Sequence, residues 1–364
     1  MRFLTNNKKV GEIELFRFVF SIVILLMHSH HLFDKYIFFV GGGYAVEFFF
    51  IVSGFLMMSS IEKLQNNSIN NLGKETTSFI FKKVKAFYPE VVISFIIGFA
   101  IQIIAKSLTK SKILTLISKT FFEVTLLQSA GLGANSVNSP IWYIQSMLLA
   151  MALLYPLLRK YPKIMKHIIM PLIVLLLLGF LQQNYTHLRH PGKWIGFTYK
   201  GNIRAIAELC LGAECYFVVQ WIKNFKLKWF TKTFLTLVKW GCWIAVIQYM
   251  IYCKKGFEMD FFFLVIFCIA IILAFSQQCI DSRIYQNILV DFLGKLSLPL
   301  YLNHMYFSVY LNSFLPNGLG VKEKLLIYIT CITITSLIVI ALAKIIRKTT
   351  PKFINLFKNF ALQK

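Results

Sequence analysis

The chain has 364 residues, of which 57% are hydrophobic and 16% aromatic, and its mean hydropathy is +0.65. That apolar share lies far above that of a water-soluble domain and excludes one. The net charge of +24 does not point to nucleic acid, because the lysines collect at the ends of apolar runs, where the positive-inside rule and anionic headgroups account for them.

A membrane-spanning helix needs about 20 mostly apolar residues. Such windows fall near 13–33, 42–60, 86–105, 141–158, 165–182, 202–221, 233–252, 260–277, 288–313 and 324–344, with a weaker, more polar one near 113–130. The first follows Arg2, Lys8 and Lys9 as a secretory signal would. It holds Arg17 and His28 and lacks a small-residue cleavage site, so it reads as a retained first span. The expected fold is all-α, a polytopic helical bundle of about ten transmembrane helices with both termini cytoplasmic. Charge selects this count. With 113–130 interfacial or re-entrant, Lys82/Lys83/Lys85, Arg159/Lys160/Lys163/Lys166, Lys223/Lys226/Lys228/Lys232 and Lys344/Arg347/Lys348/Lys352 all fall on one side. Gly131 to Pro140 then forms an opposite-side loop rich in breakers. No polar stretch is long enough for a separate soluble core. The seven cysteines are scattered without paired spacing and read as packing residues. No internal repeat stands out, which weighs against a transporter built from two halves.

Ionisable groups at membrane depth are costly and therefore candidates for function. Arg17 and His28 lie eleven residues apart in the first span. At 100° per residue they share a face, about 16 Å apart along the axis. Arg17 could alternatively pair with Glu14 at i, i+3. His28 suits a general base, because a neutral imidazole accepts a hydroxyl proton near pH 7; a satisfied core histidine is the plainer alternative. His28, His30 and His31 have no carboxylate or cysteine at a matching spacing, and no metal is expected. Glu47 could orient an imidazole or simply face water. Ser53-Gly54 reads as a small-residue helix contact. Trp142-Tyr143 sits at a span entrance, where aromatic anchors are common, and Arg204 with Glu208 forms an i, i+4 pair. His304 follows Pro299, whose kink suits a cavity wall. Lys82-Lys83-Val84-Lys85 can meet headgroups or the phosphates of a nucleotide-bearing donor.

In order and spacing, these landmarks resemble the acyltransferase-3 family over about residues 11 to 345. They are Glu14-Leu-Phe-Arg17 with His28; Val46-Glu-Phe-Phe-Phe-Ile-Val-Ser-Gly-Phe-Leu56; the basic run ending at Pro89; Ser139-Pro-Ile-Trp142-Tyr with Tyr155-Pro156; and Leu293 to His304. The resemblance implies one membrane acyltransferase domain filling 1–364, in a bacterial cytoplasmic (inner) membrane. It implies movement of an acyl group, usually acetyl, from cytoplasmic acetyl-CoA to a hydroxyl of a cell-surface or lipid-linked glycan. His28, Arg17 and Glu47 would be catalytic, and Arg17, Lys82 and Lys85 would hold the donor. Trp142, Tyr143, Arg204, Glu208 and His304 would meet substrate. Acetyl-CoA would be a co-substrate, with no permanently bound cofactor, and the bilayer, the glycan and acyl-CoA would be the partners. The chain departs from the family pattern in three places. Lys82 and Lys85 replace arginines, losing bidentate phosphate recognition. Met147 and Leu148 stand where many members carry a glutamate. No hydrolase-like domain is expected after Ala343. The rival expectation is a polysaccharide exporter or flippase on the same helical plan, which needs no acyl donor.

Overall fold

The computed structural model describes residues 9–33, 38–132, 137–185, 187–253 and 259–361, with side chains to Thr349. Arg2, Lys8, the loop residues Gly133 to Ser136 and the side chain of Lys352 lie outside the described residues. Eleven helices follow in order among the described residues: α1 Gly11–His28, α2 Ala45–Glu62, α3 Leu72–Ala105, α4 Lys110–Val124, α5 Trp142–Lys160, α6 Pro162–Tyr185, α7 Lys200–Lys223, α8 Trp229–Tyr252, α9 Asp260–Ser276, α10 Ile288–Tyr310 and α11 Val321–Ala361. A two-stranded ribbon pairs Trp194–Ile195 with Thr198–Tyr199. The expected all-α polytopic bundle is thus the fold. Seven helices, α2, α3, α5, α6, α7, α8 and α11, are long and apolar enough to cross a membrane. The apolar α9 has 17 residues, while α1 and α10 carry charges within otherwise apolar runs.

Helix direction explains how the bundle is threaded. The α1 and α10 helices run parallel: the Arg17 carbonyl accepts from Ser297 Oγ at 2.9 Å, and eleven residues further on the His28 carbonyl accepts from Ser308 Oγ. Parallel helices in an alternating bundle need an odd number of crossings between them. The helices α2, α3, α5, α6, α7, α8 and α9 supply that number when α4 does not cross. With 15 residues α4 is about 22 Å long, short of the roughly 30 Å hydrocarbon core. Its Leu114, Ile117 and Phe121 are exposed along one stripe, as suits a helix lying at an interface. Its C-terminal end is fixed by Glu123, which accepts the backbone N–H groups of Val137 and Asn138 at 2.7 and 2.6 Å.

A close crossing joins α2 to α7. A Cβ at Gly54 would collide with the Leu209 carbonyl, and one at Gly212 with the Ile51 carbonyl. Small residues let these backbones approach in the way membrane interfaces favour. Aromatic rings fill the space beside them, with Phe16 stacked on Trp243 at 3.9 Å and Phe55 on Phe275 at 3.7 Å. The 34 residues of α3 extend about 51 Å, so its first turns, capped by Asn71 on the Lys74 N–H at 2.8 Å, project past an apolar core. Those turns carry Lys74, Lys82, Lys83 and Lys85.

Candidate functional site

A cavity of about 1020 Å³ opens at the basic end of the bundle. Lys9, Lys63, Lys82, Lys83 and Lys223 line it together with Glu14, Arg17, Ser53, Tyr143, Tyr155, Gln220, Ser297 and Tyr301. Its wall is tied across α3 and α5, because Tyr155 Oη and Arg159 Nε both donate to Glu75 Oε1 at 2.8 Å. Arg17 reaches the cavity while its Nη1 pairs with Glu14 at 3.2 Å, so the i, i+3 pair and a cavity-facing guanidinium coexist. Lys82 is exposed and lines the mouth, and Lys83 is buried beside it with its ammonium 5.1 Å from the Phe79 ring centroid. Lys85 is exposed and outside the lining. The cavity mouth is thus lined by Lys82 and Lys83 and not by the expected Lys82 and Lys85.

The inner end of the cavity is formed by Tyr143 and Tyr301, whose rings lie 6.0 Å apart. Tyr143 Oη is 3.1 Å from Ser53 Oγ, and Tyr301 Oη donates to the Pro140 carbonyl at 2.7 Å. Beyond Tyr301 stands His304, ring to ring at 5.8 Å, and then His28, 5.0 Å from His304. His28 and His304 are therefore neighbours. Neither is in the cavity lining, so the cavity expected to reach below His28 ends one aromatic layer short of it. His304 Nδ1 meets the Tyr301 carbonyl at 2.7 Å. A carbonyl only accepts, so Nδ1 holds the proton and Nε2 is the free acceptor. His304 Nε2 and His28 Nδ1 are both buried without a hydrogen-bond partner among the described residues.

Glu47 does not orient His28. Its carboxylate pairs with Arg204 Nη2; Arg204 Nε meets Glu208 Oε1 at 3.2 Å, and Arg204 Nη1 donates to the Leu188 carbonyl at 2.7 Å. All three side chains are buried, and Arg204 also lies 5.7 Å from the Trp142 ring centroid. The α2/α7 crossing brings Glu47 onto Arg204, which is why its charge goes there and not to an imidazole. Of the expected substrate contacts, only Tyr143 lies in the cavity wall. Trp142, Arg204 and Glu208 form a packed cluster beside it, and His304 belongs with His28.

A family model described as an acyltransferase domain, Acyl_transf_3, matches residues 10–345. The chain belongs to the acyltransferase-3 family. Comparison with curated proteins and with solved structures returns no match to it. Membership makes this a membrane acyltransferase, and several features of this acyltransferase-3 chain escape a sequence reading. Lys223 reads as a loop charge and Lys63 does not stand out in the sequence, yet both line the cavity mouth. Lys239 sits inside an apolar window, and that misplaced charge was the available signal. Buried, it donates to Glu12 at 2.6 Å and to Asp281 at 2.8 Å, joining α1, α8 and the segment before α10. Outside the spans, burial pushes the Asp281 carboxyl up, but the Lys239, Trp240 and Tyr285 donors outweigh it and hold the group below its ordinary 3.8.

Proposed function

We propose that this acyltransferase moves an acetyl group from cytoplasmic acetyl-CoA to a hydroxyl of a cell-surface or lipid-linked glycan in a bacterial cytoplasmic membrane. The lysine-rich mouth of the cavity carries this reading. Five lysines converge there, and ammonium groups at the rim of an apolar chamber suit a phosphate-bearing donor whose thioester arm enters the interior. Basic clusters mark the cytoplasmic face, which is where acyl-CoA is found.

In this reading Lys82, Lys83, Lys63 and Lys223 hold the phosphates and Arg17 meets the donor deeper in the cavity. The thioester carbonyl passes between Tyr143 and Tyr301 toward the histidines. His28 takes the proton of the acceptor hydroxyl, its oxygen attacks the thioester carbon, and the C–S bond breaks to release the CoA thiol. Arg17 or a tyrosine hydroxyl stabilises the oxyanion. Holding the donor from one side and the acceptor from the other is itself a large part of the catalysis.

The test is mass spectrometry of surface glycans from cells with the gene deleted, complemented with wild type, or complemented with His28→Ala. Restoration of an ester-linked acyl group by wild type alone supports the reading. Restoration by His28→Ala in a properly inserted protein removes His28 from the chemistry, and glycan retained inside the deleted cells favours export.

A further inference from the structure

At His28 the chain leaves α1 and tightens into a 3-10 turn, Ser29–Leu32. That turn folds His30 and His31 back beside His28. The His30 and His31 ring centroids are 4.0 Å apart, and they lie 6.1 and 6.2 Å from that of His28. One ring nitrogen from each lies within 4.8 Å of the other two.

The hydrogen bonds around the cluster leave it ready for a ligand. His30 Nδ1 meets the Met27 carbonyl at 2.8 Å, so the proton is on Nδ1 and Nε2 keeps a free lone pair. A ring N–H given to a backbone carbonyl is the arrangement that orients metal-ligating histidines. Among the described residues His28 Nδ1 is buried without a partner, and so is the His304 Nε2 lone pair, with its ring 5.0 Å away. His28 and His30 are partly buried while His31 is exposed, giving an ion a way in.

We propose that His28, His30 and His31 bind a divalent transition-metal ion of the zinc class, with the fourth position facing the His304 ring. The three ligands among the described residues are imidazoles, which favour zinc, copper, nickel or cobalt over magnesium or calcium. Zinc–nitrogen bonds of about 2.0–2.1 Å place tetrahedral donors roughly 3.3 Å apart. The cluster must therefore contract by about 1.5 Å at most, a movement that side-chain rotation of the three histidines can supply. Ligation occupies a lone pair of His28. On the acyl-transfer reading above, on which this consequence rests, the bound ion and the general base exclude each other, so metal is a reversible inhibitor.

The test uses the full chain, without a polyhistidine tag, in nanodiscs after chelator treatment. Co²⁺ is titrated by its visible ligand-field absorption and Zn²⁺ by displacing it. Wild type binds one ion per chain, and His30→Gln/His31→Gln weakens binding by at least about 100-fold, taking no less than about tenfold per lost ligand. Absence of wild-type binding, or equal binding by the variant, overturns the site. In acetyl-transfer assays Zn²⁺ inhibits wild type at the concentrations that fill the site and spares the variant; equal inhibition of both overturns the exclusion. A wild type that binds Co²⁺ but transfers nothing leaves the site standing and removes the acyl-transfer reading.

Discussion

Replacing Arg204 by methionine tests whether the Glu47–Arg204–Glu208 cluster is a structural clamp between α2 and α7. The cluster sets one guanidinium between two carboxyl groups, all buried. Arg204→Met leaves two adjacent carboxylates with no cation and orphans the Leu188 carbonyl. Removing one partner of a buried ion pair costs about 3–5 kcal/mol. At about 2 °C per kcal/mol for a chain of this size, the thermal midpoint falls by about 6–10 °C. Glu47→Gln behaves differently, because it leaves the Arg204–Glu208 pair electrically balanced, and its loss is about 1–3 kcal/mol. The pair is non-additive, so Glu47→Gln/Arg204→Met loses less than the sum of the single changes by about 0.5–3 kcal/mol. Tryptophan-fluorescence melts in one detergent supply the midpoints, and acyl transfer per folded molecule supplies the activity. An Arg204→Met midpoint within about 2 °C of wild type refutes the clamp. A fully folded, inactive Glu47→Gln would instead put Glu47 in the chemistry.

Lys82→Ala, at the cavity mouth, should raise KM for acyl-CoA about fivefold with kcat preserved, the worth of about 1 kcal/mol for an exposed ionic contact. Lys85→Ala, outside the lining, should stay within about twofold, and equal effects in steady-state kinetics would contradict the cavity assignment. Gly212→Ala presses a methyl onto the Ile51 carbonyl and should destabilise by about 1–3 kcal/mol, whereas Gly179→Ala, in open space on α6, should be neutral or stabilising by up to about 1 kcal/mol in the same melts. The Asp281 carboxyl is depressed when folded, so its contribution is complete above the ordinary 3.8 and is lost as pH falls through the folded value. Asp281→Asn should therefore lower the thermal midpoint at neutral pH, with the gap to wild type closing below pH 3.8; a gap constant with pH would show that Asp281 acts by packing alone.

The helices were legible because apolar windows and their charged ends follow from the bilayer as solvent. The weakness of 113–130 was legible for the same reason, and α4 is the helix too short to cross. The Arg204–Glu208 pair also follows from local spacing. Glu47 was not legible as its partner, because that contact depends on the depth of the α2/α7 crossing set by Gly54 and Gly212, a tertiary fact that spacing does not encode. The histidines show the same limit. On an ideal helix His28 and His31 share a face while His30 points away, and the 3-10 turn after His28 gathers all three rings. Lys63 and Lys223 carried the ordinary positive-inside signal of residues at span ends, and only the arrangement of α2, α3 and α7 turns them toward a cavity.

One helix connects the two halves of the site. On α10, Ser297 binds the Arg17 carbonyl, Tyr301 ends the cavity and His304 abuts His28. These residues are four and three apart, so they follow one another along a single face, and Pro299 lies between the first two. A proline inside a helix removes one ladder hydrogen bond and loosens the turn there. On the reading proposed above, flexing of α10 at that turn would move Tyr301 relative to Tyr143 and open the layer between cavity and histidines, while Ser297 and Ser308 stay bonded to α1 on either side. Arg17 and His28 meanwhile hold their spacing, because both belong to the unbroken α1. On the acyl-transfer reading, transfer across this layer requires flexing of α10 and rigidity of α1, so both Pro299 and the Ser297 contacts to α1 should resist substitution.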